Sequence, residues 1–119
     1  MVIQMVDREP LNVAEALQRI GGDEELLREI AGLCLEEYPK LLSEIRTAIA
    51  ARKSKDLEHG AHTMKGVVSN FAAENARQAA FALEMIGRSG DLNAAGTALA
   101  ELEKALRALH PALEKLARG

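Results

Sequence analysis

The chain has 119 residues, of which 48% are hydrophobic, 3% aromatic and 28% charged, and its formal net charge is −3. This length suits one domain, and the absence of a basic cluster argues against a nucleic-acid partner. No apolar run is long enough to span a membrane, and the first ten residues lack the basic and apolar regions of a signal peptide. The one cysteine, Cys34, excludes an internal disulfide and fits a reducing compartment. We therefore expect a cytoplasmic protein without a membrane partner.

Helix-forming alanine, leucine and glutamate dominate the sequence and predict an all-α fold. Residues 1–10 are expected to be a loose segment. Asn12 is predicted to cap a short first helix, which ends at Gly21-Gly22. Asp23 is predicted to cap a long second helix. Within that helix Pro39 removes a backbone donor and predicts either a kink or a break.

Three further helices are predicted in the second half of the chain. The third runs from residue 55 to about 72, and the fourth from about 74 to 88. Asp91 or Asn93 is predicted to cap the fifth helix, and Pro111 to kink its end. The apolar positions of the fifth helix alternate three and four apart, as in a heptad repeat: Leu92, Ala95, Leu99, Leu102, Leu106, Leu109, Leu113 and Leu116.

Four long amphipathic helices joined by short turns predict an antiparallel four-helix bundle, with the short N-terminal helix as an addition. We assign this bundle to residues 11–119. The start at Met1 and the full set of helices favour a complete protein over a piece of a larger sensor kinase.

The third helix contains the segment Ala61-His62-Thr63-Met64-Lys65-Gly66. An α-helix turns about 100° per residue, so Lys65 and Gly66 lie beside His62, and Ser69 lies in line with it two turns on. The apolar positions form a stripe on the opposite side of the helix: Leu57, Ala61, Met64, Val68 and Phe71. His62 is thus predicted to point to solvent.

This arrangement suits phosphoryl transfer. A neutral imidazole is a nucleophile near neutral pH, and phosphoryl transfer mainly needs positioning and charge compensation. Lys65 is predicted to contact the phosphoryl oxygens, Ser69 to donate a hydrogen bond to them, and Gly66 to leave room for a docking macromolecule. An exposed histidine on a helix is also commonly an ordinary surface residue, and spacing alone does not decide between the two interpretations.

The segment around His62, followed by Asn70-Phe71-Ala72-Ala73, resembles the signature of the histidine-containing phosphotransfer (Hpt) domain. The similarity extends from residue 11 to residue 92. One position departs from the pattern, because the family usually has Gly-Ala where this chain has Ala72-Ala73. The departure puts the end of the third helix in doubt more than the function.

The resemblance implies a helical bundle that passes phosphoryl groups between the aspartates of receiver domains. It implies that His62 is the phosphorylated residue, that Lys65 is its charge partner and that Gly66 provides clearance. It further implies that the fourth helix lies near the site, where Glu84 and Arg88 are candidates to support the imidazole or the docked receiver. A solvated helix face is the alternative interpretation of these two residues.

The resemblance also defines the expected partners, which are response-regulator receiver domains, a hybrid histidine kinase, or both. We expect a monomeric phosphocarrier without kinase activity, with any Mg²⁺ supplied by the receiver. His59 is expected to line the docking surface or to tune the electrostatic field around His62. His59 and His62, at i and i+3, could chelate a metal ion, but a stable site needs at least one more ligand and Glu58 is the only close candidate, so no metal site is expected. His110 is expected to be a surface residue.

Two other functions are compatible with the same sequence. One alternative is a non-catalytic helical adaptor that binds a partner helix or dimerises through its leucine-rich last helix. A relay domain that docks receivers without accepting phosphate is a third interpretation, and the presence of both His62 and Lys65 argues against it.

Overall fold

A computed structural model describes residues 9–119. The segment predicted to be loose therefore lies outside the described residues, except for its last two, which precede the first helix. Within residues 9–119 the structure contains helices and no strand. The helices in chain order are α1 (Val13–Arg19), α2 (Glu24–Ala50), α3 (Ser54–Ser69), α4 (Glu74–Ser89) and α5 (Ala95–Arg118).

The four long helices form a closed bundle. Helix α2 packs against α3 and α5, and α4 packs against the same two helices from the other side. The connections between them are short, so successive helices run antiparallel. Helix α1 packs against α2, and the N–H of Asn12 donates a 3.0 Å hydrogen bond to the carbonyl of Phe71 beyond the end of α3. The predicted bundle with an additional short helix is confirmed.

The core is almost entirely aliphatic. All five residues of the apolar stripe predicted for α3 are fully buried. On α5 most of the heptad positions are buried, and only Leu99 and Leu116 are half-buried. Since complete burial of a leucine side chain stabilises a fold by about 1.5–3 kcal/mol, this face stabilises the bundle itself and is not left for a dimer partner. None of the helices within residues 9–119 has the length and apolarity needed to cross a membrane.

Most predicted helix ends are correct. The side chains of Asn12 and Asp23 each accept a 3.0 Å hydrogen bond from a backbone N–H three residues on, and so cap α1 and α2. Helix α2 continues through Pro39, so the predicted alternative of a break is wrong. Buried residues lie on both sides of the proline, including Tyr38 and Leu42, so both halves of the helix pack against the core.

Two helix ends differ from the prediction. Helix α3 ends at Ser69 rather than near residue 72, because the chain turns tightly and Ala72 has a φ of 53°, in the left-handed region that glycine adopts more readily. This is the position at which the sequence departs from the Hpt pattern. Helix α5 begins at Ala95 without a side-chain cap. Asp91 instead accepts a 3.0 Å hydrogen bond from the N–H of Asn93 within the preceding turn.

His110 lies at the surface, with its side chain 42% exposed, but it is not free. Its ring is half-buried, and its Nδ1 lies 2.5 Å from the hydroxyl of Tyr38 on α2. Its Nε2 lies 3.4 Å from the carboxylate of Glu114. The histidine therefore links α5 to α2 through a partly buried polar contact.

Helices α3 and α4 are in close backbone contact at Gly87. A Cβ atom at this position would lie 2.6 Å from the backbone nitrogen of Glu58 and 2.8 Å from the carbonyl oxygen of Ser54. Both of these atoms belong to the backbone and have little freedom to move. Glycine is therefore required at this crossing, which places the C-terminal half of α4 against the N-terminal half of α3.

We expect Gly87→Ala to destabilise the protein by about 1–3 kcal/mol, because the added methyl group forces the two helices apart. Gly66→Ala is the matched control, since a Cβ there meets nothing within 4 Å. Helix propensity then predicts a gain of up to about 1 kcal/mol for the control. Urea denaturation followed by circular dichroism measures both changes. Equal stability of the two variants would contradict the assigned packing.

Candidate functional site

The candidate site lies on the outer face of α3 and α4. Helix α3 contributes His62 and Lys65, and the close approach of the helices at Gly87 brings Glu84 and Arg88 of α4 beside them. The His62 side chain is 64% exposed, whereas that of Glu84 is only 3% exposed. An accessible imidazole therefore stands over a buried carboxylate.

Three side chains surround the Glu84 carboxylate. The Nδ1 atom of His62 lies 2.8 Å from Oε2, and the Nη2 atom of Arg88 donates to the same oxygen at 3.2 Å. The Nζ atom of Lys65 lies 2.7 Å from the other oxygen, Oε1. The Lys65 contact is thus a close ion pair, and the Lys65 ammonium is the cation beside this oxygen.

The charge state of Glu84 follows from these neighbours. The Lys65 ammonium lowers the pKa of the carboxyl group, burial opposes this shift, and the His62 ring adds to the lowering, so that the net pKa lies below its ordinary value. An ionised carboxylate only accepts hydrogen bonds, so the proton shared with His62 resides on Nδ1. The neutral imidazole then has its lone pair on Nε2, the other ring nitrogen.

A second carboxylate extends the cluster along α3. The Nε atom of Arg88 donates to Glu58 at 2.8 Å, and this contact raises the pKa of the guanidinium. Arg88 therefore bridges Glu58 on α3 to Glu84 on its own helix. These residues border an open groove of about 450 Å³, lined by Lys55, Glu58, His59, His62, Glu84 and Arg88.

The structure brings together most of the residues selected from the sequence. His62, Lys65, Glu84 and Arg88 form one contact cluster, and the exposed His59 lines the same groove. A Cβ atom at Gly66 would meet nothing within 4 Å, so the surface is open at this position. Within residues 9–119 no group of three histidine, cysteine or acidic side chains is arranged to hold a metal ion.

Ser69 is engaged away from the site. Its hydroxyl donates a 2.6 Å hydrogen bond to the carbonyl of Lys65, one turn back on the same helix. Its own carbonyl accepts a hydrogen bond from the guanidinium of Arg19 on α1. The side chain therefore serves the end of α3, and the hydrogen bond predicted from Ser69 to a phosphoryl group has no support in this geometry.

Sequence analysis did not identify two of the contributing residues. Glu58 was considered only as a metal ligand, and Phe81, whose ring centroid lies 4.9 Å from the Lys65 Nζ atom, was not considered. The burial of Glu84 was also unexpected, although one signal was available. Glu84 follows the buried Ala80 by four positions and precedes Gly87 by three, so the helical period places it at the packed face of α4.

Comparison with known proteins identifies the family. Residues 29–112 match the family model of the Hpt domain. The chain belongs to this family. Its fold is similar to the crystal structure of histidine-containing phosphotransfer protein B (HptB) from Pseudomonas aeruginosa PAO1, with a TM-score of 0.84 and 19% sequence identity, over 92% of this chain and 95% of that chain. No curated protein matches the sequence.

The tautomer of His62 can be tested directly. In ¹⁵N NMR spectra recorded above the titration range of the imidazole, we expect His62 to be protonated at Nδ1, because Glu84 accepts that proton. In Glu84→Ala the preference should be lost, while the exposed His59 should give the same tautomer mixture in both proteins. A wild-type His62 protonated mainly at Nε2 would contradict the assignment.

The low pKa of Glu84 predicts how its contribution to stability depends on pH. A carboxyl group whose pKa is lower in the folded than in the unfolded protein stabilises the fold above its ordinary pKa, and this contribution disappears as the pH falls through the folded value. The stability of wild type relative to Glu84→Gln should therefore be constant near neutral pH and decrease below about pH 4.5. Urea denaturation from pH 7 to pH 3 measures the difference, and a constant difference throughout would refute it.

Proposed function

We propose that His62 is the residue through which this Hpt domain acts as a phosphotransfer intermediate in a two-component phosphorelay. One observation carries the proposal above all: Nδ1 is paired with the buried Glu84, while the side chain as a whole is 64% exposed. The nucleophilic Nε2 atom is thereby left available to a partner. A histidine whose position is set by a buried carboxylate also differs from an ordinary surface histidine.

The arrangement accounts for transfer in both directions. The Nε2 lone pair attacks the phosphorus of a receiver's aspartyl phosphate, and the bond from phosphorus to the aspartate oxygen breaks as the carboxylate leaves with its electron pair. The ring retains its Nδ1 proton, and Glu84 balances the positive charge. In the reverse step a carboxylate oxygen of a receiver aspartate attacks the phosphorus, the phosphorus–nitrogen bond breaks and its electrons return to Nε2. No proton needs to move in either direction.

The neighbours of His62 supply what phosphoryl transfer requires besides a nucleophile. The Lys65 ammonium lies one helical turn away and compensates charge on the phosphoryl oxygens. Open space at Gly66 admits the partner's backbone. The exposed Phe81 and Met85 on α4 provide apolar contact beside the charged cluster. These features support a macromolecular phosphoryl donor rather than a small substrate in an enclosed pocket.

Hpt domains interact with receiver domains and histidine kinases in phosphorelays. For this chain we infer receivers of response regulators, of a hybrid kinase, or of both, with Mg²⁺ supplied by the receiver. The chain acts as a phosphocarrier, and we infer that it has no kinase activity of its own. We further infer a monomer, because the apolar face of α5 is buried in the core of the bundle. We infer that this monomer is cytoplasmic.

Transfer from a phosphorylated receiver tests the proposal. Incubation with a receiver that carries labelled phosphate should give an adduct on wild type that is labile to acid and stable to alkali. His62→Gln should give none. His59→Gln is the matched control, because His59 is an exposed histidine one turn earlier on the same helix. It should retain the label. An adduct that survives His62→Gln, or its absence on wild type with every receiver tried, refutes the proposal.

A further inference from the structure

The ammonium of Lys65 is held from two sides in the free protein. On one side it lies 2.7 Å from the Glu84 Oε1 atom, and on the other 4.9 Å from the centroid of the Phe81 ring. The side chain is only 25% exposed, although lysine side chains usually extend into solvent. Two different partners on α4 thus define the position of this one cation.

We propose that Phe81 is a positioning residue for phosphoryl transfer. Its ring face supports the end of the Lys65 side chain, so that the ammonium turns from Glu84 to the phosphoryl oxygens on His62 without moving into solvent. This inference rests on the proposed role of His62. The proposed turn involves no covalent step, because the ammonium exchanges one anionic partner for another.

The ring is suited to this task because it attracts a cation without binding it as a carboxylate does. The negative face of an aromatic ring attracts an ammonium group within about 6 Å of the centroid. The ring carries no formal charge, so it does not compete strongly with an incoming phosphoryl group. A phosphoryl group bears more negative charge than the single charge of Glu84, and so attracts the ammonium away from Oε1.

Glu84 can release the ammonium without becoming an uncompensated buried charge. After Lys65 turns away, the Nδ1 proton of His62 and the guanidinium of Arg88 still contact Oε2. Arg88 is itself anchored by Glu58 at 2.8 Å and stays in place.

The position of Phe81 provides a second argument. It is 43% exposed, on the same face of the bundle as the site, and is one of only two phenylalanines in the sequence. The other, Phe71, is fully buried in the core. An aliphatic residue would supply the same apolar area at the surface, but it would not attract the ammonium.

Two substitutions separate the ring face from its apolar area. Phe81→Leu retains an apolar side chain and removes the aromatic face, whereas Phe81→Tyr retains the face. In single-turnover transfer from a phosphorylated receiver, Phe81→Leu should lower the rate at saturating receiver by about two- to fivefold, the range expected for loss of an exposed cation–π contact. The half-saturating receiver concentration should change by less than about twofold. Phe81→Tyr should transfer like wild type.

A spectroscopic measurement tests the contact without a receiver. Protons of the last Lys65 methylene should show an upfield ring-current shift in wild type and Phe81→Tyr, and none in Phe81→Leu. The shift should persist after His62 is phosphorylated with phosphoramidate, because the ring supports the side chain in both states. Circular dichroism should show that all three proteins are folded alike.

The outcomes distinguish the two proposals. If wild type transfers phosphate through His62 and Phe81→Leu matches its saturated rate, the role of Phe81 is refuted and that of His62 stands. Loss of the ring-current shift on phosphorylation likewise refutes the support role. If wild type takes no label on His62 from either donor, the proposed function fails and the inference about Phe81 fails with it.

Discussion

The arrangement of the α3–α4 face depends on one buried carboxylate. Removing an ionised carboxylate from water is costly unless other groups pair with it. The Glu84 side chain is only 3% exposed. Its partners must therefore come from the neighbouring side chains, and His62, Lys65 and Arg88 supply them. In satisfying Glu84, these groups are themselves oriented. The imidazole is the one whose orientation matters most, because the carboxylate determines which ring nitrogen carries the proton.

The packing of the bundle makes this pairing possible. Glu84 lies one turn before Gly87, where the backbones of α3 and α4 approach too closely for any side chain. That contact sets the distance between the helices and thereby places the carboxylate within reach of α3. Burial of the apolar stripe on the opposite side of α3 orients the helix so that His62 faces outward. The position of His62, the proposed nucleophile, thus follows from core packing on one side and ion pairing on the other.

The sequence predicts those parts of this arrangement that repeat along one helix. The α3 stripe and the exposure of His62 follow from the helical period, and the caps at Asn12 and Asp23 follow from residue type. Contacts between helices are harder to predict. Charged residues are usually exposed, so a glutamate on α4 was not expected in a buried position, and its pairing depends on the register of two helices.

The incorrect predictions have the same origin. Local rules allowed a break at Pro39, and they indicated a cap at Asp91 or Asn93. Packing on both sides of Pro39 preserves the helix, and Asp91 satisfies the preceding turn instead. Local propensity is a weak determinant wherever tertiary contacts are extensive. At Ala72 the positive φ is tolerated for the same reason, since Phe71 and Ala73 on either side are buried and hold the turn in place.

In the proposed transfer, Glu84 both orients the nucleophile, His62, and competes for the ammonium of Lys65. A carboxylate satisfied by Lys65 alone would have to be left uncompensated each time the ammonium moved to a phosphoryl group. The second cation removes this conflict, because Arg88 contacts the oxygen that His62 uses, while Lys65 contacts the other. The two oxygens of Glu84 therefore have separate tasks. Oε2 contacts the imidazole that it orients, and Oε1 contacts the lysine that we propose to move during transfer.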